Sequence, residues 1–129
     1  MTRWVVDSSI IIDATRGHPE AIDVLRAAAD RGEIWSVTPV RTEVGWGIRP
    51  GERPQMVELL GAIRWLEVAP SLADHAGELG RRWGRSHGLG VVDALLAAAT
   101  EELGAELLTT NVRDFPMFPG LEAPYRMRQ

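Results

Sequence analysis

The sequence predicts an α/β fold in which a mostly parallel central sheet of four to five strands is flanked by helices. Short apolar runs rich in β-branched and aromatic residues alternate with longer segments of helical spacing along the whole chain. This alternation is typical of parallel sheets that carry helices on both faces. The chain has 129 residues, 45% of them apolar and 25% charged, which suits one globular domain.

The expected strands are short and bounded by turn or helix signals. They are residues 4–6, 34–37, 65–68 and 106–109. The first ends at Asp7, and a helix cap follows it directly. The loop at residues 49–54 combines proline with glycine, and the tail at residues 115–129 holds three prolines, so both are expected to be irregular.

The expected helices have apolar residues on one face and recognisable ends. They are residues 10–16, 19–31, 38–46, 56–63, 71–85 and 91–103. Ser8 and Ser9 offer an N-cap to the first helix, Thr38 to the third and Ser71 to the fifth. Gly32 ends the second helix, and the glycine-rich stretch at residues 86–90 separates the last two.

The composition excludes several kinds of chemistry. All 14 basic residues are Arg, and there is no Lys and no Cys. The chain therefore forms no Schiff base, Walker A loop, thiol nucleophile, disulfide or thiolate zinc site. The net charge of −4 argues against a broad, non-specific nucleic-acid surface but leaves room for a small site with its own cations. Without a long apolar run, no membrane span is expected, and a cytoplasmic location fits the absence of disulfides.

Four carboxylates fall where a parallel sheet places its binding crevice. Asp7 follows the first strand, Glu43 lies in the helix after the second, and Asp93 lies in the first turn of the Ala-rich helix. Asp114 follows the fourth strand, together with Asn111. The crevice of such a sheet lies beyond the carboxyl ends of its strands, so we expect these groups to meet. Clustered carboxylates need protons or a cation, and an all-oxygen set favours Mg²⁺ or Mn²⁺.

Each carboxylate also has a structural interpretation. Asp7 alone fits a helix N-cap, Glu43 a solvated helix residue, Asp93 a group that complements the helix dipole, and Asp114 a turn residue. Only the four together favour a functional site.

The chain resembles PIN-domain ribonucleases, especially the VapC toxins of bacterial toxin–antitoxin pairs. The matching segments are residues 5–9, 42–44, 92–99 and 107–115. The most specific are an Asp that opens an Ala-rich helix and the Thr-x-Asn-x-x-Asp-Phe run that ends at Phe115. The resemblance extends from Trp4 to Phe115 and implies a single PIN domain over residues 1–129.

The resemblance implies an Mg²⁺- or Mn²⁺-dependent endoribonuclease. Asp7 and Asp93 would be the main metal ligands, with Glu43 acting directly or through water. Asp114 and Asn111 compete for the fourth position, because some family members carry an Asp where this chain has Asn111.

Other residues would support this site. Ser9 and Thr109 would form hydrogen bonds within it, and Arg113 would contact substrate phosphate. The arginines at residues 81, 82 and 85 fit either phosphate contacts or a solvated helix face.

The resemblance also implies partners. These are an RNA substrate, a VapB-like antitoxin that inhibits the toxin, and a second copy of the chain within a homodimer and a larger assembly. An antitoxin arginine would occupy the acidic pocket. Trp46 and Ile48 belong either to the groove that receives the antitoxin or to the core.

Two alternatives remain open at this point. One is a PIN-like RNA- or protein-binding module with weak or no catalysis. This alternative remains because Asn111 is neutral where some family members carry an Asp. The other is a phosphohydrolase with Asp7 as its nucleophile. Such enzymes need a second Asp where this chain has Ser9, and they use a lysine that it lacks.

Overall fold

A computed structural model describes residues 1–126 of the chain. Its four strands form one sheet, in which every pair of neighbours is parallel. The strands are β1 (Thr2–Val6), β2 (Gly32–Val37), β3 (Arg64–Leu66) and β4 (Glu106–Leu108), in the order β3-β2-β1-β4. The predicted α/β class with a parallel sheet is confirmed, with four strands in the described part of the chain.

Six α-helices lie between and around these strands within residues 1–126. They are α1 (Ser8–Thr15), α2 (Pro19–Arg31), α3 (Thr38–Gly47), α4 (Arg53–Gly61), α5 (Pro70–His87) and α6 (Val91–Leu103). A short 3₁₀ helix, Val112–Asp114, follows β4. No helix in this part of the chain is long and apolar enough to cross a membrane.

Several predicted boundaries are wrong for local reasons. The N-cap of α1 is Asp7, not a serine, because its carboxylate accepts the backbone N–H groups of Ser9 and Ile10. Helix α4 begins at Arg53 rather than at residue 56, since a proline is tolerated in a first helical turn.

The later elements show smaller differences. Helix α5 begins at Pro70 and runs to His87, without a side-chain cap from Ser71. Strand β3 ends at Leu66 and β4 at Leu108, each earlier than expected. The last three residues of the predicted irregular tail, 127–129, lie outside the described residues.

Strand β1 lies at the centre of the core. Val5 and Val6 are fully buried, and helix α6 packs against β1 and β2 through a run of buried alanines at residues 97–99. Small side chains let this helix lie close to the sheet. On its outer side α6 packs against α5, while α1 packs against α2, α3 and α4.

Polar contacts also join α5 to α6. The ring of His75 on α5 lies between two carboxylates of α6, with Nδ1 2.8 Å from Glu102 Oε2 and Nε2 3.0 Å from Glu101 Oε1. The hydrogen bond with Glu102, followed by that with Glu101 and by the charges of both glutamates, raises the pKa of His75 against the opposing effect of partial burial. The two hydrogen bonds tie the helices together, and the raised pKa widens the pH range in which the ring is charged.

The pairing of β1 with β2 depends on a residue without a side chain. Gly32 pairs with Thr2, and a Cβ atom at position 32 would lie only 1.7 Å from the Thr2 carbonyl oxygen. Any other residue would force the two strands apart at this point. Gly32 therefore both ends α2 and allows the close pairing of β1 with β2.

Candidate active site

Asp7 lies where β1 ends and α1 begins, and its carboxylate is 4% exposed. Oδ1 accepts hydrogen bonds from the Ser9 backbone N–H at 3.1 Å, from Ser9 Oγ at 2.5 Å and from the Ile10 N–H at 3.4 Å. Oδ2 accepts a hydrogen bond from Thr109 Oγ1. These contacts hold the carboxylate in one orientation.

The protonation of Asp7 reflects two opposing effects. Burial raises its pKa, and hydrogen bonds from Ser9, Thr109 and the backbone lower it. Burial prevails, so the pKa lies above its ordinary value. A positive charge placed beside such a buried carboxylate stabilises its ionised form.

The turn after β4 links the two ends of the chain at this point. Thr109 is fully buried, and its hydroxyl accepts the Asn111 backbone N–H at 2.9 Å while donating to Asp7. Thr110 Oγ1 donates to Ser9 Oγ at 3.0 Å. Neighbouring parallel strands β1 and β4 thus bring residues about a hundred positions apart into one hydrogen-bonded network.

Asp93 shows that the four predicted carboxylates lie near one another. It occupies the first turn of α6 and is half-buried. Its pKa is raised to about 6, first by burial and then by the negative charges of Asp114, Asp7 and Glu43. The charges of the other three acidic residues that the sequence singled out therefore all act on Asp93.

Asp114 and Asn111 differ in what they contribute. Asp114 lies in the 3₁₀ helix, held by the buried Phe115 that follows it, and its charge has the largest effect on Asp93 after burial. Asn111 is exposed and carries no charge. The charge distribution favours Asp114 as the fourth member of the cluster, while its role as a ligand stays a prediction.

Glu43 is an exposed residue of α3 and lines a pocket of about 700 Å³. The other side chains and backbone at this pocket are Thr38, Pro39, Thr42, Trp46, Gly47 and Val92. Trp46 is 87% exposed, so the interpretation that it packs in the core is wrong. Ile48 is half-buried and packs against the core instead.

The carboxylates do not form a closed metal cage. Within residues 1–126, no three His, Cys, Asp or Glu side chains lie close enough together to hold a metal ion as they stand. The donors still fit a hard divalent cation, because all are carboxylate oxygens and because repulsion by the other three adds to burial in raising the pKa of Asp93. Bound water would complete the coordination of such an ion.

The arginines that the sequence singled out differ in their partners. Arg81 pairs with Glu78 on the exposed face of α5, and Arg82 lies over the Trp83 ring at 5.3 Å. Arg113 is exposed beside Asp114 and has no ion pair with any residue in the described range. Arg113 therefore remains available for an anionic substrate.

Sequence reasoning missed a contact that anchors the C-terminal segment. The Tyr125 hydroxyl donates to Asp13 Oδ2 at 2.7 Å, and its ring stacks on His18 with centroids 5.2 Å apart. Burial and then Asp13 raise the pKa of Tyr125. Nothing in the local sequence signals this bond, because its partners are 112 positions apart.

Comparisons with known proteins identify the family of this chain. The model of the PIN domain family matches residues 4–120. The chain belongs to the PIN domain family. It is 40% identical over 123 residues to Ribonuclease VapC19 of Mycobacterium tuberculosis, a match that covers 94% of this chain and 98% of the relative.

Two further matches support the same conclusion. Ribonuclease VapC10 of Mycobacterium tuberculosis is 34% identical, with 94% of this PIN domain chain and 92% of the relative covered. A toxin-antitoxin complex from Klebsiella pneumoniae contains a chain of the same fold, with a TM-score of 0.80 and 23% identity over 95% of this chain and 98% of that one. The predicted family, a VapC-type PIN domain, is confirmed.

Proposed function

We propose that this chain is a divalent-metal-dependent endoribonuclease and the toxin of a type II toxin–antitoxin pair. The observation that carries the proposal is the raised pKa of Asp93, to which the charges of three other carboxylates contribute. Two relatives of this chain in the PIN domain family are named ribonucleases. The match over residues 4–120 also supports a single PIN domain.

The acidic residues Asp7, Asp93, Glu43 and Asp114 would hold Mg²⁺ or Mn²⁺. When bound, such an ion would lower the pKa of a coordinated water and would stabilise negative charge on the leaving oxygen. Ser9 and Thr109 keep the Asp7 carboxylate in place through its two oxygens.

Arg113 would bind a phosphate of the RNA beside Asp114. Its guanidinium would supply a positive charge beside Asp114 in a chain whose net charge is −4. No side-chain nucleophile is needed for this reaction, and the chain has no Cys to provide one.

The partners follow from the same site. A VapB-like antitoxin would inhibit the enzyme by placing an arginine against the carboxylates, which attract a cation. The chain would form a homodimer and, with the antitoxin, a larger assembly in the cytoplasm. The similarity in fold to a chain of a toxin-antitoxin complex supports this proposal.

An aspartyl phosphohydrolase fits the structure poorly. Such an enzyme uses a second Asp two residues after its nucleophile, where this chain has Ser9, and a lysine, which this chain lacks. The Ser9 hydroxyl is also engaged, since it donates a hydrogen bond to the Asp7 carboxylate.

The test is cleavage of total RNA by the purified protein with Mg²⁺, with Mn²⁺ or with chelator. We expect cleavage only with a divalent ion, leaving 5′-phosphate and 3′-hydroxyl ends, because attack by water does not involve the RNA 2′-hydroxyl. Cyclic-phosphate ends, or full activity in chelator, would refute the proposal. Asp93→Asn serves as the inactive control for contaminating nucleases.

A further inference from the structure

A mostly apolar pocket adjoins the carboxylate cluster and has no role in the mechanism above. It shares Glu43 with the cluster, and Val92, which also lines it, directly precedes Asp93. Its volume of about 700 Å³ lies in the range of small-ligand sites. A substrate chain that extends beyond the carboxylates is therefore able to reach this pocket.

Trp46 forms one wall of the pocket and is 87% exposed. Among the large apolar side chains that residues 1–126 leave exposed, it is the only aromatic one. The other tryptophans, at positions 4, 35, 65 and 83, are partly buried and pack against the core. An indole ring exposed beside a nuclease centre offers a flat surface for stacking.

We infer, on the basis of the ribonuclease function proposed above, that this pocket binds one unstacked base of the RNA next to the bond that is cut. Trp46 is the stacking platform for that base. The hydroxyls of Thr38 and Thr42, which also line the pocket, face the edge of the base.

The charge of the pocket favours a base over a phosphate group. Glu43 is the one charged side chain in its lining, as far as residues 1–126 are concerned, and it repels anions. A nucleobase is neutral, with an apolar face and a polar edge, which matches apolar walls and threonine hydroxyls. The flanking phosphates would lie outside the pocket, towards solvent or Arg113.

The exposed face of α3 fits a protein helix less well. A groove for an amphipathic helix presents apolar contacts over several turns. Val40 and Val44 of α3 are buried in the core, and Thr42 and Glu43 are polar. Trp46 is therefore the one large apolar side chain that α3 exposes, as expected of a platform for a single ring.

The experiment compares Trp46→Ala and Trp46→Phe with the wild-type chain in cleavage of a short single-stranded RNA of mapped cut position. Matched RNAs carry an abasic nucleotide on either side of the cut. Val57→Ala is the control, because Val57 is also an exposed apolar residue but lies on α4 outside the pocket. Melting temperatures confirm that each variant is folded.

We expect Trp46→Ala to raise KM by about 5- to 100-fold with a smaller effect on kcat, and Trp46→Phe to retain most of the affinity. On the RNA that lacks the stacked base, Trp46→Ala and the wild type should have equal KM values. The stacking contact needs both the indole ring and the base, so neither protein is able to form it on this RNA. Val57→Ala should behave as the wild type does.

Two results would overturn the inference while leaving the ribonuclease function intact. One is an unchanged KM for Trp46→Ala, and a changed oligomeric state or lost antitoxin binding in that variant would then assign Trp46 to a protein interface. The other is a loss that persists on both abasic RNAs. Absence of cleavage by the wild-type chain with Mg²⁺ or Mn²⁺ is a different outcome, because it would refute the proposed function itself.

Discussion

Replacing Asp93 by asparagine should abolish cleavage and at the same time stabilise the metal-free protein. The side chain keeps its volume but loses its negative charge. In the wild type, burial first and then repulsion by Asp114, Asp7 and Glu43 raise the pKa of Asp93 from 3.8 to about 6. The substitution removes the cost of burying the charge as well as the repulsion that a cation would relieve.

The size of the effect follows from the pKa. A rise of about 2 pH units corresponds to about 3 kcal/mol of unfavourable free energy for the ionised group in the folded state. Asp93 is only half-buried, and solvent screens part of the repulsion, so we expect about 1 kcal/mol of stabilisation at pH 7.5. For a chain of this length, that raises the melting temperature by about 4 °C.

The pH dependence has a definite sign. Because the folded pKa is raised, the folded chain binds this proton more tightly than the unfolded chain does. The penalty from ionised Asp93 is absent below pH 3.8, grows between pH 3.8 and about 6, and is complete above that range. Asp93→Asn should therefore be more stable than the wild type at pH 7.5 and about equally stable near pH 4.

The assay is thermal unfolding in chelator at the two pH values, repeated at pH 7.5 with Mg²⁺. The metal should raise the melting temperature of the wild type more than that of Asp93→Asn. A ligand stabilises the folded state in proportion to how well that state binds it, and Asp93→Asn has lost one carboxylate ligand. Asp23→Asn, an exposed aspartate on α2, controls for the general change in charge. Equal or lower stability of Asp93→Asn at pH 7.5, or a gain of the same size at pH 4, would refute this reasoning.

Four further predictions follow. Asp114→Asn should weaken metal-dependent cleavage severely, because it removes a carboxylate from the cluster. The measurement is a metal titration of the cleavage rate. An unchanged rate for Asp114→Asn, together with tighter metal binding by Asn111→Asp, would assign the fourth position to Asn111 instead. Thr109→Val should lower the cleavage rate by about tenfold or more, because it removes the hydroxyl that holds Asp7. Thr109→Ser keeps that hydroxyl and should retain a higher rate. Equal rates for the two variants would contradict the positioning role. His75→Gln should destabilise the protein more at pH 6 than at pH 9 in denaturant titrations, since a raised histidine pKa contributes stability that is lost as pH rises through it; a loss independent of pH would argue against the charged ring. Gly32→Ala should cost about 3 kcal/mol in urea unfolding, because a Cβ atom would lie 1.7 Å from a backbone oxygen of β1, and a cost below about 0.5 kcal/mol would show that the strands can shift apart.

Local signals in the sequence determined most of the elements. Helix α2 runs from Pro19 to Arg31 and α6 from Val91 to Leu103, as predicted, because proline, glycine and apolar spacing act over a few residues. The alternation of strands with helices likewise predicted the parallel sheet. The first strand could be assigned from its short apolar run, which also placed Asp7 at the edge of the sheet.

Local signals failed where several residues compete for the same role. Ser8, Ser9 and Asp7 are all good N-caps, and the sequence favoured the serines. In the folded chain Asp7 is the cap, and Ser9 binds the Asp7 carboxylate instead. The choice depends on where β1 ends, which its pairing with β2 and β4 decides.

The sequence alone named the four carboxylates, but only the tertiary structure decided how they act on one another. The repulsion at Asp93 depends on distances between β1, α3, α6 and the 3₁₀ helix, which no local pattern encodes. The bond from Thr109 to Asp7 joins residues 102 positions apart, and the exposure of Trp46 depends on which face of α3 meets the core. Residue types and spacing fix what each side chain is able to do, whereas burial and charge at the site come from neighbours that only the packed chain brings near.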